Sequence, residues 1–205
     1  MPDRPEQAFD WRAARPGLLL FTLCLLPLLL PETTIAGLEY RRDAILAGEV
    51  WRLWSGQCVH YSTGHAVLDG LACLMLATGL QLVHQGGSLL LRLAVIAPLL
   101  TLTLLFAVPE MQVYRGASGV AMVLLAATWL ALWRGRARWR PWLLVPALGL
   151  LLKLMADALD LGVFPASLDA GIRVAWQIHL AGLACGFGFW RRSACIPSIP
   201  GRHGD

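Results

Sequence analysis

Six long apolar stretches constrain this chain more than any other feature. They cover about residues 17–30, 62–83, 88–108, 117–133, 142–159 and 172–190. A helix needs about 20 mainly apolar residues to cross the hydrocarbon core of a bilayer. Because 57% of the residues are hydrophobic, only 15% are charged and the mean hydropathy is +0.60, little polar surface remains for a water-exposed domain. We therefore predict an all-α polytopic membrane protein, a six-transmembrane-helix bundle forming a single domain over residues 1–205.

The first stretch also fits a signal peptide. Arginines precede its apolar run, and the small residue Ala36 follows as a possible cleavage position. Removal of this leader would leave five spans, and the charge distribution does not decide between the two interpretations.

The arginines indicate an orientation. With a cytoplasmic amino terminus, the inside segments carry 11 basic residues and the outside segments carry 5. The short inside loop WRGRARWR at 133–140 alone holds four arginines, as the positive-inside rule expects. We expect both termini in the cytoplasm, so the second, fourth and sixth spans begin at the outer face. The net charge of +4 then reports topology, and we expect no nucleic-acid partner.

The longest connection runs from Pro31 to Val59 and mixes apolar with charged residues. We expect an outer loop containing an amphipathic helix at the membrane interface, with Trp51 and Trp54 at headgroup depth.

Polar residues at membrane depth are the informative ones, because each is costly unless it is paired or functional. The set is His60, His65, Asp69, Ser118, Lys153, Asp157 and His179. Lys153 and Asp157 are four residues apart on one helical face and are predicted to form a structural pair. The others lie near the first residues of the even-numbered spans, which share the outer face.

Ser118 and His179 suit a nucleophile and its base. Gly116 and Gly119 flank the serine and allow a sharp turn into a helix, whose first N–H groups are free for an oxyanion. A neutral imidazole, with an ordinary pKa of about 6.5, can take the serine proton. The Ser118 N–H and His65 are candidate oxyanion donors. Taken singly, however, the serine and the histidine also fit plain packing roles.

Glycines follow the histidine at a helical spacing. Gly182 and Gly186 give His179 a face of small residues along which another helix can approach closely. The alternative is a buried histidine bonded to a carbonyl, beside an ordinary packing motif.

In this order, the residues resemble the rhomboid intramembrane serine proteases. The matching elements are EVWR at 49–52, His60, His65, GASG at 116–119 and His179-x-x-Gly182-x-x-x-Gly186. The resemblance implies a six-helix core, which argues for retention of the first span. It also implies Ser118 as nucleophile and His179 as general base, without a metal or cofactor.

The resemblance assigns supporting roles as well. His65, the side chain at position 69 and the Ser118 amide would line the oxyanion hole, with His60 supporting the loop above them. Trp51 and Arg52 match a pair whose role in the family is structural and lipid-facing.

Two positions depart from the family pattern. Most rhomboids have asparagine where this chain has Asp69, and many have an aromatic residue where it has Met122. An ionised carboxylate would oppose a developing oxyanion. Asp69 must therefore either be protonated through burial or turn away and orient His65, and we expect the second.

Asp69, the Tyr114-Arg115-Gly116 lead-in and the small size resemble one branch, the rhombosortases. That resemblance implies substrates anchored by a carboxy-terminal tail made of a Gly-Gly-type motif, one apolar helix and a basic end. We expect a monomer in the lipid bilayer of the bacterial inner membrane, with the active site toward the periplasm. A general rhomboid that cleaves single-span proteins is the alternative within the family.

Two other classes stay open. His60, His65, Asp69 and His179 are residue types that bind a divalent metal, although HExxH is missing and this interpretation leaves GASG unexplained. An inactive rhomboid-like trafficking factor or a small transporter is the non-enzymatic alternative.

Overall fold

The computed structural model describes residues 10–83, 88–135, 137–159, 161 and 175–190. These residues form nine α-helices and one two-stranded sheet, as expected for an all-α bundle. The α-helices are α1 Arg15–Leu25, α2 Glu32–Leu38, α3 Arg42–Leu46, α4 Arg52–Ser55, α5 Thr63–Val83, α6 Leu89–Ala107, α7 Ser118–Gly135, α8 Arg140–Ala158 and α9 Trp176–Trp190. The strands are β1 Tyr40–Arg41 and β2 Val113–Tyr114.

Each predicted span corresponds to a helix in the described part of the chain. Five segments are long and apolar enough to cross a membrane: Trp11–Leu29, Thr63–Val83, Leu89–Ala107, Ser118–Gly135 and Arg140–Ala158. The sixth predicted span corresponds to α9, which has 15 described residues. The predicted beginning of that span, residues 172–174, lies outside the described residues. The fold is therefore a polytopic membrane bundle.

Proline shapes the first span. Helix α1 ends at Leu25 and continues as a 3₁₀ turn over Leu26–Leu29, with Pro27 inside that turn. Proline lacks the N–H that would bond one turn back, so the α-helical pattern stops before it. Gly17 lets α1 approach α5 closely, since a Cβ there would lie 2.7 Å from the Leu74 carbonyl oxygen.

The connection between α1 and α5 differs from the single amphipathic helix that the sequence suggested. It contains three short helices, α2, α3 and α4, separated by β1 and by a turn at Gly48 with φ +107°. A residue in the left-handed region ends a helix, and glycine adopts it without strain. Strand β1 pairs antiparallel with β2, so that Tyr40 lies opposite Tyr114.

Arg52 holds this outer segment together from inside. Its side chain is buried, and its Nη1 donates to the carbonyl oxygens of Ala36 and Glu39, each at 2.8 Å. Its Nε donates to Glu49 at 2.6 Å. A guanidinium can serve several acceptors in a fixed planar geometry, which explains how short helices stay folded against one another.

The centre of the bundle is formed by α5, α6, α7 and α9. Large side chains that are fully buried there include Leu80, Ile96, Leu100, Leu124 and Ile178. Helix α8 is peripheral and exposes most of its apolar side chains. Its Lys153 and Asp157 form an ion pair, as their four-residue spacing predicts.

Candidate active site

Ser118 is the first residue of α7 and follows a turn at Gly116 by two residues. Gly116 has φ +141°, and its N–H donates to the Gly56 carbonyl oxygen at 3.1 Å. A Cβ at Gly116 would lie 3.0 Å from His65 Cε1, so only glycine fits both the backbone angle and the space. The turn places Ser118 at the beginning of α7, where the backbone N–H groups have no partner within the helix.

His179 lies opposite Ser118 on α9. Its side chain is buried, and its Nε2 is 2.9 Å from Ser118 Oγ across a separation of 61 residues. Its Nδ1 is buried and has no hydrogen-bond partner among the described residues. When Nε2 accepts the serine O–H, the pair has the geometry of a hydroxyl nucleophile and its general base.

Three glycines set the distance between α7 and α9. A Cβ at Gly182 would collide with the Gly119 carbonyl oxygen and would lie 2.8 Å from Met122 Cβ. A Cβ at Gly186 would lie 2.5 Å from the Val123 carbonyl oxygen. On the facing helix, a Cβ at Gly119 would lie 2.9 Å from a side-chain carbon of Ile178. The helices therefore touch backbone to backbone, one turn from the serine and histidine.

Asp69 is the centre of a second polar group beside the serine turn. The Nε2 atoms of His60 and His65 each lie 3.3 Å from its Oδ2. The Ala117 N–H donates to the same Oδ2 at 2.8 Å. The carboxyl group thus faces two imidazoles and the backbone just before Ser118.

Trp51 and Arg52 lie in the outer segment and do not join the Ser118–His179 pair. Trp51 is half exposed, and its indole N–H donates to the Gly37 carbonyl oxygen at 3.2 Å. Their hydrogen bonds hold α4 against the segment that includes α2.

Tyr114 was not predicted as a site residue. Its hydroxyl lies 3.2 Å from Ser118 Oγ, and its side chain is buried. Burial raises the pKa of this phenol above its ordinary value, although hydrogen bonds to Ser118 and to the Gly119 backbone act the other way. A tyrosine four residues before a serine predicts a contact only when both lie on one helix. Tyr114 lies in β2 and Ser118 begins α7, so the spacing gave no reason to expect the contact.

Tyr61 and Arg115 also surround the site without having been predicted. The Tyr61 ring stacks on His65 with a centroid distance of 6.2 Å and an interplanar angle of 6°. Arg115 lies over the same tyrosine, with its guanidinium 5.4 Å from the Tyr61 ring centre. Its Nε also forms an ion pair with the buried Glu39 at 2.8 Å. Burial lowers the pKa of Arg115, but hydrogen bonds to Glu32 and Glu39 outweigh it and raise the pKa overall.

The residues considered for a metal are only partly brought together. His60 and His65 share a carboxylate oxygen of Asp69, whereas His179 contacts Ser118. Within the described ranges, no group of three or more His, Cys, Asp or Glu residues has an arrangement suited to a metal ion.

A family comparison bears on this geometry. The model described as the Rhomboid domain matches residues 47–191, well over half of the chain. The chain belongs to the rhomboid family. The matched range contains His60, His65, Asp69, Ser118 and His179, and it also contains Trp51 and Arg52 of the outer segment. Membership supports a multi-pass membrane protein and an intramembrane serine protease in general. No curated protein matches the chain.

Proposed function

We propose that this rhomboid is an intramembrane serine endopeptidase in which Ser118 is the nucleophile and His179 the general base. The observation that carries the proposal is the 2.9 Å distance between Ser118 Oγ and His179 Nε2. The imidazole is buried, and the serine hydroxyl that it contacts lies at the beginning of α7. This pairing lets a weak nucleophile react at neutral pH.

The reaction begins when Ser118 Oγ attacks the carbonyl carbon of the scissile peptide. Its proton passes to His179 Nε2, and the carbonyl π electrons move onto the carbonyl oxygen. The imidazolium then gives its proton to the departing amine, which leaves an acyl-enzyme. A water molecule deprotonated by His179 attacks the ester carbonyl, and the collapse of that intermediate returns the proton to Ser118 Oγ.

The negative oxygen of the tetrahedral intermediate needs hydrogen-bond donors. The N–H of Ser118, at the first position of α7, is one, because the helix leaves it unpaired. His65 is the second: its ring lies beside Gly116, its Nε2 faces Asp69, and its Nδ1 has no hydrogen-bond partner among the described residues. Asp69 contributes indirectly, because a carboxylate accepts hydrogen bonds and here accepts the Ala117 N–H.

For substrates, the rhombosortase branch fits best. The support comes from Asp69 in place of the usual asparagine and from the Tyr114-Arg115-Gly116 lead-in to the serine turn. The substrate would be an exported protein held in the membrane by a carboxy-terminal tail with a Gly-Gly-type motif, one apolar helix and a basic end. A glycine-rich segment unwinds easily, because glycine weakens a helix by about 1 kcal/mol relative to alanine.

Fluorophosphonate labelling of the purified protein tests the chemistry. Wild type should be labelled covalently, and Ser118→Ala should not be labelled at all. His179→Ala should reduce the labelling rate by several orders of magnitude, since the serine then lacks its base. Full labelling of Ser118→Ala, or an unchanged rate in His179→Ala, would reject the Ser118–His179 pair.

Co-expression with a tailed reporter tests the substrate. We expect cleavage near the Gly-Gly motif by wild type but not by His179→Ala. A matched reporter in which the two glycines are replaced by leucines should stay intact. If both reporters are cleaved equally well, the enzyme is a general rhomboid, and the sorting-tail specificity is wrong while the protease activity stands.

A further inference from the structure

The side chain of Tyr114 approaches the reacting oxygen from a direction that the serine–histidine pair leaves free. Ser118 Oγ has one hydrogen and two lone pairs. Its hydrogen is directed to His179 Nε2 at 2.9 Å in the reactive arrangement, so a second partner can only donate to it. The Tyr114 hydroxyl, 3.2 Å from the same oxygen, is that second partner.

The phenol is held in place by the fold. Tyr114 lies opposite Tyr40 in the two-stranded sheet, and both rings are buried. The chain then turns at Gly116, which brings Ser118 back toward the ring. Burial raises the pKa of the phenol above its ordinary value, so the O–H remains protonated at the pH at which a neutral imidazole works.

We propose that Tyr114 is a further catalytic residue, whose phenol O–H donates to Ser118 Oγ and stabilises the negative charge that develops there when the serine proton moves to His179. This inference rests on the proposed role of Ser118 as nucleophile. A hydrogen bond to a charged acceptor is stronger than one to a neutral acceptor, so the contact gains strength as the proton leaves. That gain is the differential stabilisation that accelerates a chemical step.

The same contact acts in both halves of the reaction. During acylation the Oγ–C bond forms, the proton passes to His179 Nε2 and the carbonyl electrons move to the carbonyl oxygen. During deacylation the Oγ–C bond breaks, its electron pair returns to Oγ, and His179 returns the proton. Tyr114 keeps its own proton throughout and donates to Oγ whenever that oxygen carries charge.

Tyr114→Phe tests the proposal because it removes the hydroxyl and keeps the ring. With the purified full-length protein, the fluorophosphonate labelling rate of Tyr114→Phe should fall about tenfold to a hundredfold, the loss expected for one hydrogen bond to a developing charge. With a cleaved reporter, kcat should fall while KM stays at the wild-type value. The thermal unfolding temperature should stay close to that of wild type.

Tyr40→Phe is the matched control, since Tyr40 is the strand partner of Tyr114, whereas the hydrogen-bond partners of Ser118 Oγ within the described residues are Tyr114 and His179. It should label at the wild-type rate. A wild-type rate in Tyr114→Phe, or an equal loss in both variants, would overturn the catalytic role. Labelling that persists in Ser118→Ala would instead reject the proposed function itself.

If Tyr114→Phe yields little folded protein, 3-fluorotyrosine placed at position 114 gives a second measurement. Fluorine makes the phenol a stronger donor and hardly changes its shape. Faster labelling than wild type supports the proposal, and an unchanged rate overturns it.

Discussion

The carboxyl group of Asp69 accepts the backbone N–H of Ala117 at 2.8 Å, between the turn at Gly116 and Ser118. The two residues are 48 positions apart, and the contact ties α5 to the beginning of α7. Asp69 thus contacts the serine turn and also lies 3.3 Å from the Nε2 atoms of His60 and His65, where we propose that it positions these groups.

Replacing Asp69 separates this positioning role from a charge requirement. Asp69→Asn keeps an oxygen that accepts the Ala117 N–H, so we expect cleavage within about tenfold of wild type. Asp69→Ala leaves the Ala117 N–H without its acceptor and removes the carboxyl group beside both imidazoles, which should cost about 1–3 kcal/mol and abolish most of the cleavage. Reporter cleavage and thermal unfolding should be measured together. Equal and complete loss in both variants would contradict the positioning role.

The contact between α7 and α9 predicts an intolerance to a single methyl group. Gly182→Ala would drive a Cβ into the Gly119 carbonyl oxygen, and overpacking of this kind costs about 1–3 kcal/mol. We expect a lower unfolding temperature and slower fluorophosphonate labelling, because α9 must move away and carries His179 with it. Gly188→Ala is the control on the same helix, since a Cβ there meets nothing within 4 Å. Equal behaviour of the two variants would show that the close approach is unimportant.

The hydrogen bonds of Arg52 predict a large effect far from the chemistry. Arg52→Ala leaves the carbonyl oxygens of Ala36 and Glu39 and the Glu49 carboxylate without their donor. Breaking a buried charged network of this kind costs about 3–5 kcal/mol. Arg52→Lys should rescue it poorly, because an ammonium lacks the planar fork. Unfolding in detergent measures the effect, with the exposed Arg12→Ala as a neutral control. Similar unfolding temperatures for Arg52→Ala and Arg12→Ala would contradict this role.

Chelation separates the serine mechanism from the metal alternative. Cleavage should be unchanged after incubation with EDTA, since the proposed steps use only side chains and backbone N–H groups of the protein. A zinc protease treated in parallel provides the positive control. Loss of cleavage that is restored by added zinc would favour a metal at His60, His65 and Asp69.

The arginine distribution predicts where the active site opens. Alkaline phosphatase becomes active only where its disulfides can form, which in bacteria is the periplasm. A fusion after Gly48 should therefore be active, and a fusion after Gly135 should be inactive. The reverse pattern would place Ser118 on the cytoplasmic side.

Hydropathy was sufficient to place the long apolar helices because a bilayer imposes a similar length and polarity on every span. The predicted limits 62–83, 88–108 and 117–133 differ by at most two residues from α5, α6 and α7. The encounter of Ser118 with His179 was also anticipated, because parity puts the beginnings of α7 and α9 at the same face. The family pattern then gave the reason to expect a catalytic role for these residues instead of a packing role.

The outer segment and Tyr114 were beyond the reach of sequence reasoning. Periodicity suggested one amphipathic helix, but the structure is set by the hydrogen bonds of Arg52 to carbonyl groups that are distant in sequence. The position of Tyr114 likewise depends on its pairing with Tyr40, a contact across more than 70 residues. Such long-range pairings leave no local pattern.

The glycine contacts between α7 and α9 have one more consequence, which concerns alignment. Sliding α9 by a single residue shifts it by about 1.5 Å and turns its side chains by about 100°. The imidazole would then point away from the serine, and a side chain in place of a glycine would strike the carbonyl of Gly119 or Val123. The glycines therefore fix the register of α9 against α7, because only one register both allows close packing and aligns Ser118 with His179.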